Sequence, residues 1–471
     1  MAERELNSNE INIPKRVLNT LLTSLSSGVV PRIGAPYIAI GRKEEVNALL
    51  DSLDAVKDGG AFVRFLIGRY GSGKSFLIQL IRGYALDRGF LCADADLSPE
   101  RRLAGGNNCG LATYRELMRN LSSKASPEGS ALPVVLSRHY SKLCASLAER
   151  GIMPDSAEFE IELKKKIYSL ANSFESSVGG FDFSRVLSEY YIACLYDDIE
   201  KKSACLRFMR GEYSTKTEAK SALGFSIGAI IDDGNWYDYI KLWALFASEL
   251  GYSGLIIYID ECVNLFKIPN RISRESNYEK ILSIFNDTLQ GGAKNLGVIF
   301  GGTPQFLEDS RRGLFSYEAL RSRLCDSRFT SSGYVNMSAP VIRLRRFSNN
   351  EFLALIARLT KLKAMQDGSK ELLSSDEMIE FLNFVLDKAG SNELATPREI
   401  IRDYLALLNI MRENPSVSFK SILEKGDFGE AALKDTEAEF YKSESEADTQ
   451  KSVKVGSDTQ KRKISLDDIE I

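Results

Sequence analysis

The sequence predicts an α/β fold: a parallel-sheet core with a large helical insertion and an all-helical C-terminal section. Three observations predict it. A short apolar run, AFVRFLIG (61–68), ends in glycine and opens Gly68-Arg69-Tyr70-Gly71-Ser72-Gly73-Lys74-Ser75, with a helical pattern behind it. FLCADADL (90–97) reads as the next strand, so strand, glycine loop, helix and strand follow one another as in a βαβ unit. Two further apolar runs, GLIIYIDE (254–261) and LGVIFGGTP (296–304), resume the sheet far downstream. Continuous apolar runs of this length are what strands buried on both faces require.

A chain of 471 residues, 44% hydrophobic, can bury one large core or two to three ordinary ones. Lys+Arg 61 against Asp+Glu 64 leaves a net charge of −3, which argues against an obligate polyanion binder while allowing a local basic face. Seven cysteines without CxxC spacing and one histidine, His139, speak against a zinc site. An odd, unpatterned set of thiols fits a reducing compartment. The first residues lack a signal-peptide run, and no uncharged segment is long enough to span a bilayer. The expected location is cytoplasmic, with no membrane partner.

The organisation follows from composition and periodicity. Residues 1–36 read as an N-terminal helical arm, with an amphipathic helix at about 14–25 and a Ser/Gly/Pro loop after it. Residues 37–346 carry the sheet. Helical segments interrupt it at about 112–250, among them LPVVLSRHYSKLCASLAER and the long FSRVLSEYYIACLYDDIEKKSACLRFM. Residues 347–430 read as all-helical, with Ser-Ser-Asp-Glu opening one helix and Thr396-Pro397 another. Residues 431–471 are polar and charged and read as a disordered tail.

Gly68 to Ser75 satisfies G-x-x-x-x-G-K-[ST]. Glycines at Gly68, Gly71 and Gly73 let backbone N–H groups turn inward onto phosphate oxygens. The helix after the loop adds its positive end. Arg69, Tyr70 and Ser72 fill the variable positions, Lys74 would reach the β- and γ-phosphates, and Ser75 would hold Mg²⁺. This points to ATP with Mg²⁺ as the bound species. Asp260 and Glu261 close an apolar strand. Asp260 would orient the metal and Glu261 would polarise an attacking water, although two acids at a strand end can also be simply solvated.

Other candidates are weaker. Thr303 either contacts the γ-phosphate or only ends its strand in a Gly-Thr-Pro turn. Arg321 and Arg323 in Tyr317-Glu318-Ala319-Leu320-Arg321-Ser322-Arg323-Leu324 offer an arginine finger to a neighbouring copy, or ordinary surface ion pairs. Arg398 opens the last long helix and could reach over the phosphates. Asp94 and Asp96 stand at a strand end, and His139 lies in a helix without partners of its kind. Arg343, Arg345, Arg346 and nearby Arg328 form a basic run that suits a solvated or copy-facing strand better than nucleic acid.

In order, the chain carries an Ile40-Gly41-Arg42 box, the glycine loop, the acidic strand, the Gly-Thr-Pro strand, Leu-Arg-Ser-Arg-Leu and a helical lid with Pro-Arg. This set resembles the AAA+ P-loop ATPases of the origin-recognition (Cdc6-like) branch. IPKRVLNTLLTSLSSGVVPRIGAPYIAIGRKEE, GRYGSGKSFLIQLIR, LIIYIDECVNLFKIPNR and FGGTPQFLED resemble, more narrowly, the BrxC/BrxD-type ATP-binding proteins of bacterial phage-exclusion (BREX) clusters. The likeness covers about residues 10–415. It implies nucleotide contacts from Gly41, Arg42, the loop and Arg398, and metal contacts from Ser75 and Asp260. It further implies catalytic roles for Glu261, Thr303 and Arg323. Homo-oligomers through the nucleotide sites, other defence proteins and non-specific DNA are the implied partners. Thr303 stands where many relatives have a polar residue followed by Asn, and too little chain follows the lid for a winged-helix DNA reader.

Two functions remain open on the sequence. One is an ATPase of a defence system, acting on or near DNA through nucleotide-dependent assembly. The other is a nucleotide-gated scaffold that turns ATP over slowly and recruits proteins. A P-loop kinase or helicase lacks its further motifs here.

Overall fold

The computed structural model describes residues 12–154, 156–172, 174, 177–326, 336–388 and 396–425. The tail expected to be disordered lies outside the described residues, as does Arg328. In chain order, α1 (Lys15–Ser26) and α2 (Lys43–Lys57) precede β1 (Ala61–Ile67), α3 (Lys74–Asp87) and β2 (Leu91–Asp96). Seven helices follow: α4 (Cys109–Arg119), α5 (Leu132–Ala148), α6 (Ala157–Asn172), α7 (Gly180–Leu195), α8 (Ile199–Met209), α9 (Lys216–Leu223) and α10 (Trp236–Glu249). Then come β3 (Leu255–Asp260), α11 (Val263–Phe266), α12 (Arg271–Leu289), β4 (Leu296–Gly302), α13 (Pro304–Glu308), α14 (Glu318–Leu324) and β5 (Val341–Arg343). The described chain closes with α15 (Asn349–Asp367), α16 (Ser375–Lys388), α17 (Pro397–Glu413) and α18 (Phe419–Lys425).

These elements divide between two compact units. The sheet unit comprises residues 44–69 and 80–344. Its five strands are all parallel, in the order β2-β3-β4-β1-β5. Every residue of β3 and β4 is buried, as central strands covered on both faces demand. Phe65 of β1 stacks on Phe300 of β4 at 5.2 Å. The same apolar cluster runs on through the inserted helices to Phe183, Trp243 and Phe246. There the two indole N–H groups are paired: Trp243 Nε1 donates to the Tyr114 hydroxyl at 3.0 Å, and Trp236 Nε1 to the Leu103 carbonyl at 3.0 Å. His139 is held in this region, its Nδ1 2.8 Å from the Tyr191 hydroxyl, and burial lowers its pKa to about 4. The long helical run over 183–209 is broken. Asp197 takes φ +53 and Asp198 caps α8 by accepting the Lys201 N–H, so the chain turns between α7 and α8.

The helical unit comprises the described parts of residues 1–43, 70–79 and 345–471. Leu18, Leu21, Leu22 and Leu25 repeat at helical spacing on α1 and are buried with Ile356 and Leu359 of α15 and Tyr404 and Leu408 of α17. Three capping boxes fix helix starts here, one of them Ser374 with Glu377 at α16. Ser348 pairs with Glu351 at α15, and Thr396 pairs with Glu399 at α17, with Pro397 in the first turn.

Candidate nucleotide site

In the sheet unit, three loops leave the carboxyl edge of the parallel sheet side by side. The Gly68 N–H donates to the Gly302 carbonyl at 3.1 Å, joining the end of β1 to the end of β4. The Cys262 N–H donates to the Gly301 carbonyl at 3.0 Å, joining the turn after β3 to the same strand. Open α/β sheets bind ligands at this edge, because strand ends and helix starts present unpaired backbone groups there.

Asp260 ends β3 buried, with 8% of its surface exposed. Its Oδ1 accepts the Glu261 N–H at 2.8 Å and its carbonyl accepts the Leu97 N–H at 3.0 Å. Glu261 stands at φ +57, the left-handed region that a residue with a Cβ adopts only at a cost. A non-glycine residue held there by its neighbours is a common mark of a working position. Asp96 pairs with Asp260 in the ladder, and burial followed by the Asp260 charge raises its carboxyl above the ordinary range. Asp94 is engaged elsewhere, on the buried guanidinium of Arg82 at 3.1 Å. Thr303 is buried and caps α13, its Oγ1 accepting the Phe306 N–H.

Arg321 and Arg323 are exposed on α14, and Arg323 donates to the Ala319 carbonyl one turn back at 2.7 Å. Cys325 beside them is the one exposed cysteine of the seven. Arg343 is spent on Glu308 and Asp326 at 3.0 and 2.7 Å.

In the helical unit, residues 70–75 of the glycine loop keep company with two distant segments. Gly71 (φ +73) and Gly73 (φ +91) both occupy backbone that side chains disfavour. A Cβ on Gly71 would lie 2.8 Å from Thr396, whereas a Cβ on Gly73 would stand in open space. Arg42, almost fully buried, donates to the Ser72 carbonyl at 3.0 Å and to the Arg345 carbonyl at 2.9 Å. Its guanidinium lies over the Phe347 ring at 4.8 Å. Arg345 in turn donates to the Gly41 carbonyl and pairs with Glu351. Arg398 donates to the Tyr70 hydroxyl at 2.8 Å. The Arg42 and Arg398 contacts join residues 30 and 328 positions apart, and no periodicity in the sequence announces them.

The loop fits a phosphate group on two counts. The Ser72 Oγ is buried with no hydrogen-bond partner, an orphan that a bound anion would satisfy. The open space at Gly73 leaves room for oxygens against the backbone. The donor set, with Lys74 and Ser75, fits a phosphate group with an accompanying Mg²⁺.

Parallel strands in this order, a glycine loop after β1 and an acidic turn after β3 define the P-loop NTPase-like class of α/β protein. The family model for BREX system ATP-binding proteins BrxC/D matches residues 13–427, and the chain belongs to that family. It is therefore an ATP-binding component of a defence system. A comparison with curated proteins finds no match. No helix among the described residues is long and apolar enough to cross a membrane.

Proposed function

We propose that the protein hydrolyses ATP and that copies of it assemble through their nucleotide sites to act on or near DNA. The observation that carries this is the shared sheet edge, where Asp260-Glu261, Thr303 and the root of the glycine loop leave three neighbouring strands. Lys74 binds the β- and γ-phosphate oxygens, while the backbone N–H groups of Gly71 to Lys74 hold the remainder. Ser75 and Asp260 would hold Mg²⁺, which would supply neutralisation of phosphate charge. Glu261 accepts the proton of a water whose oxygen bonds to the γ-phosphorus as the bond to the β-γ bridging oxygen breaks. Thr303 orients that water. Arg398 binds the γ-phosphate from the lid, and Arg323 of a neighbouring copy neutralises the departing group. Arg42 acts at one remove, by fixing the Ser72 carbonyl.

The test is phosphate release from MgATP by the purified chain, with and without double- or single-stranded DNA. Lys74→Ala removes activity and binding together. Glu261→Gln lowers turnover about 10²- to 10⁴-fold while ATP stays bound and the assembled form accumulates on size exclusion. Unchanged turnover in Glu261→Gln overturns the assignment of the base. Tight ATP binding with negligible turnover in the wild type replaces the ATPase by a nucleotide-gated scaffold.

A further inference from the structure

Arg398 occupies the first turn of α17, where the helix dipole disfavours a cation. Glu399, the nearest acid in sequence, is committed to the Thr396 capping box. Among the described residues no carboxylate forms an ion pair with Arg398. Its guanidinium instead donates to the phenol of Tyr70 at 2.8 Å and lies 5.7 Å from the centre of that ring. On another side it passes over Gly28, where a Cβ would come within 3.5 Å of its Nε. The next loop residue, Gly71, touches Thr396, so two consecutive loop residues meet the first turn of α17. All of these residues belong to the helical unit.

We infer that Tyr70 is a positioning residue that holds Arg398 ready for the terminal phosphate of ATP. The inference rests on the proposed contact between Arg398 and the γ-phosphate. The chemistry of the partner is what matters. A carboxylate at position 70 would neutralise the guanidinium and compete with the incoming phosphate. A small residue would leave a long, rotamer-rich side chain to be ordered at the moment of binding, at a cost in affinity. A phenol does neither. It accepts one hydrogen bond and offers a ring face, ordering the cation while leaving its charge for an anion. Because ADP lacks the γ-phosphate, the benefit falls on ATP alone.

Calorimetric titration of the full chain with MgATP and MgADP tests this in wild type, Tyr70→Ala, Tyr70→Phe, Arg398→Ala and the Tyr70→Ala/Arg398→Ala pair. Tyr70→Ala should weaken MgATP about 3- to 10-fold and leave MgADP unchanged. Tyr70→Phe, which keeps the ring, should recover part of the loss. In the Arg398→Ala background the Tyr70→Ala effect should vanish. An equal loss for both nucleotides, or an undiminished loss in the double variant, overturns the inference and leaves the ATPase reading intact. Failure of the wild type to bind MgATP, or normal binding by Lys74→Ala, overturns the reading of the loop itself.

Discussion

The sheet unit and the helical unit hold their candidate residues by opposite means. At the sheet edge, Gly68 and Asp260 are fixed by main-chain bonds to neighbouring strand ends, Thr303 by burial, and the exposed Glu261 through its N–H on the Asp260 carboxylate. In the helical unit, Arg42 and Arg398 reach the glycine loop by side chains alone, and Arg398 does so exposed to solvent. Backbone ladders are cooperative and cost a strand to break. A single exposed side-chain bond is worth about 0.5–1.5 kcal/mol. The Arg398 contact is of the kind exchanged at small cost, whereas the strand-end bonds are not.

The largest expected effect strikes the second kind of contact where it meets the loop backbone. Gly71→Val places a branched side chain at φ +73 and within 3 Å of Thr396. Strain and overlap together should cost about 3 kcal/mol or more, with ATP binding lost in a titration. Retained ATP affinity would mean that the loop and α17 separate freely, which would break the contrast.

A middle-sized effect probes how firmly the inserted helices share the sheet unit's core. His139 is the only histidine of the chain, so a single imidazole resonance reports its titration. Burial holds it near pKa 4 in the folded state, below its ordinary value of about 6.5. The unfolded chain therefore binds the proton first. Stability should be full above pH 6.5 and fall as pH drops from 6.5 toward 4. After discounting for partial exposure, the loss is about 1–2 kcal/mol, measured by denaturant melts against a His139→Gln control. A resonance titrating near 6.5 would show that solvent reaches the insertion's interior.

The smallest effect concerns the strained turn. Glu261→Asn replaces a residue that tolerates φ +57 poorly by one that enters this region more readily. The melting midpoint should rise by an amount equivalent to roughly 0.5 kcal/mol while turnover disappears. A fall in stability would mean that the Glu261 side chain itself helps hold the sheet edge.

The same contrast explains what the sequence disclosed. Four strands and the glycine loop were legible because apolar runs and turn glycines are local signals. The strand β5 was legible only as the solvated strand suggested by the basic run from Arg343, not as part of the sheet, since three residues, Val341 to Arg343, carry no period of their own. The acids after β3 were legible as a pair, but the left-handed backbone at Glu261 comes from the ladder around it and has no signature in the residue. Asp94 and Asp96 look alike in FLCADADL, yet Asp94 is taken by Arg82 and Asp96 faces Asp260. Only the fold distinguishes them. The basic run over 343–346 proved to be in part ion pairs of Arg343 and Arg345 with acids far from it or on the next helix. The Tyr70–Arg398 bond spans most of the chain and could not be read from either residue's surroundings.

The distribution of thiols has a practical consequence. Burial pushes the Cys92 and Cys205 thiols up to about 12 and raises Cys262 well above its ordinary value, so all three resist mild alkylation. Cys325 is exposed and stands two residues beyond Arg323. A maleimide dye should therefore attach there without any engineered cysteine, placing a fluorescent reporter beside the arginine proposed to serve a neighbouring copy.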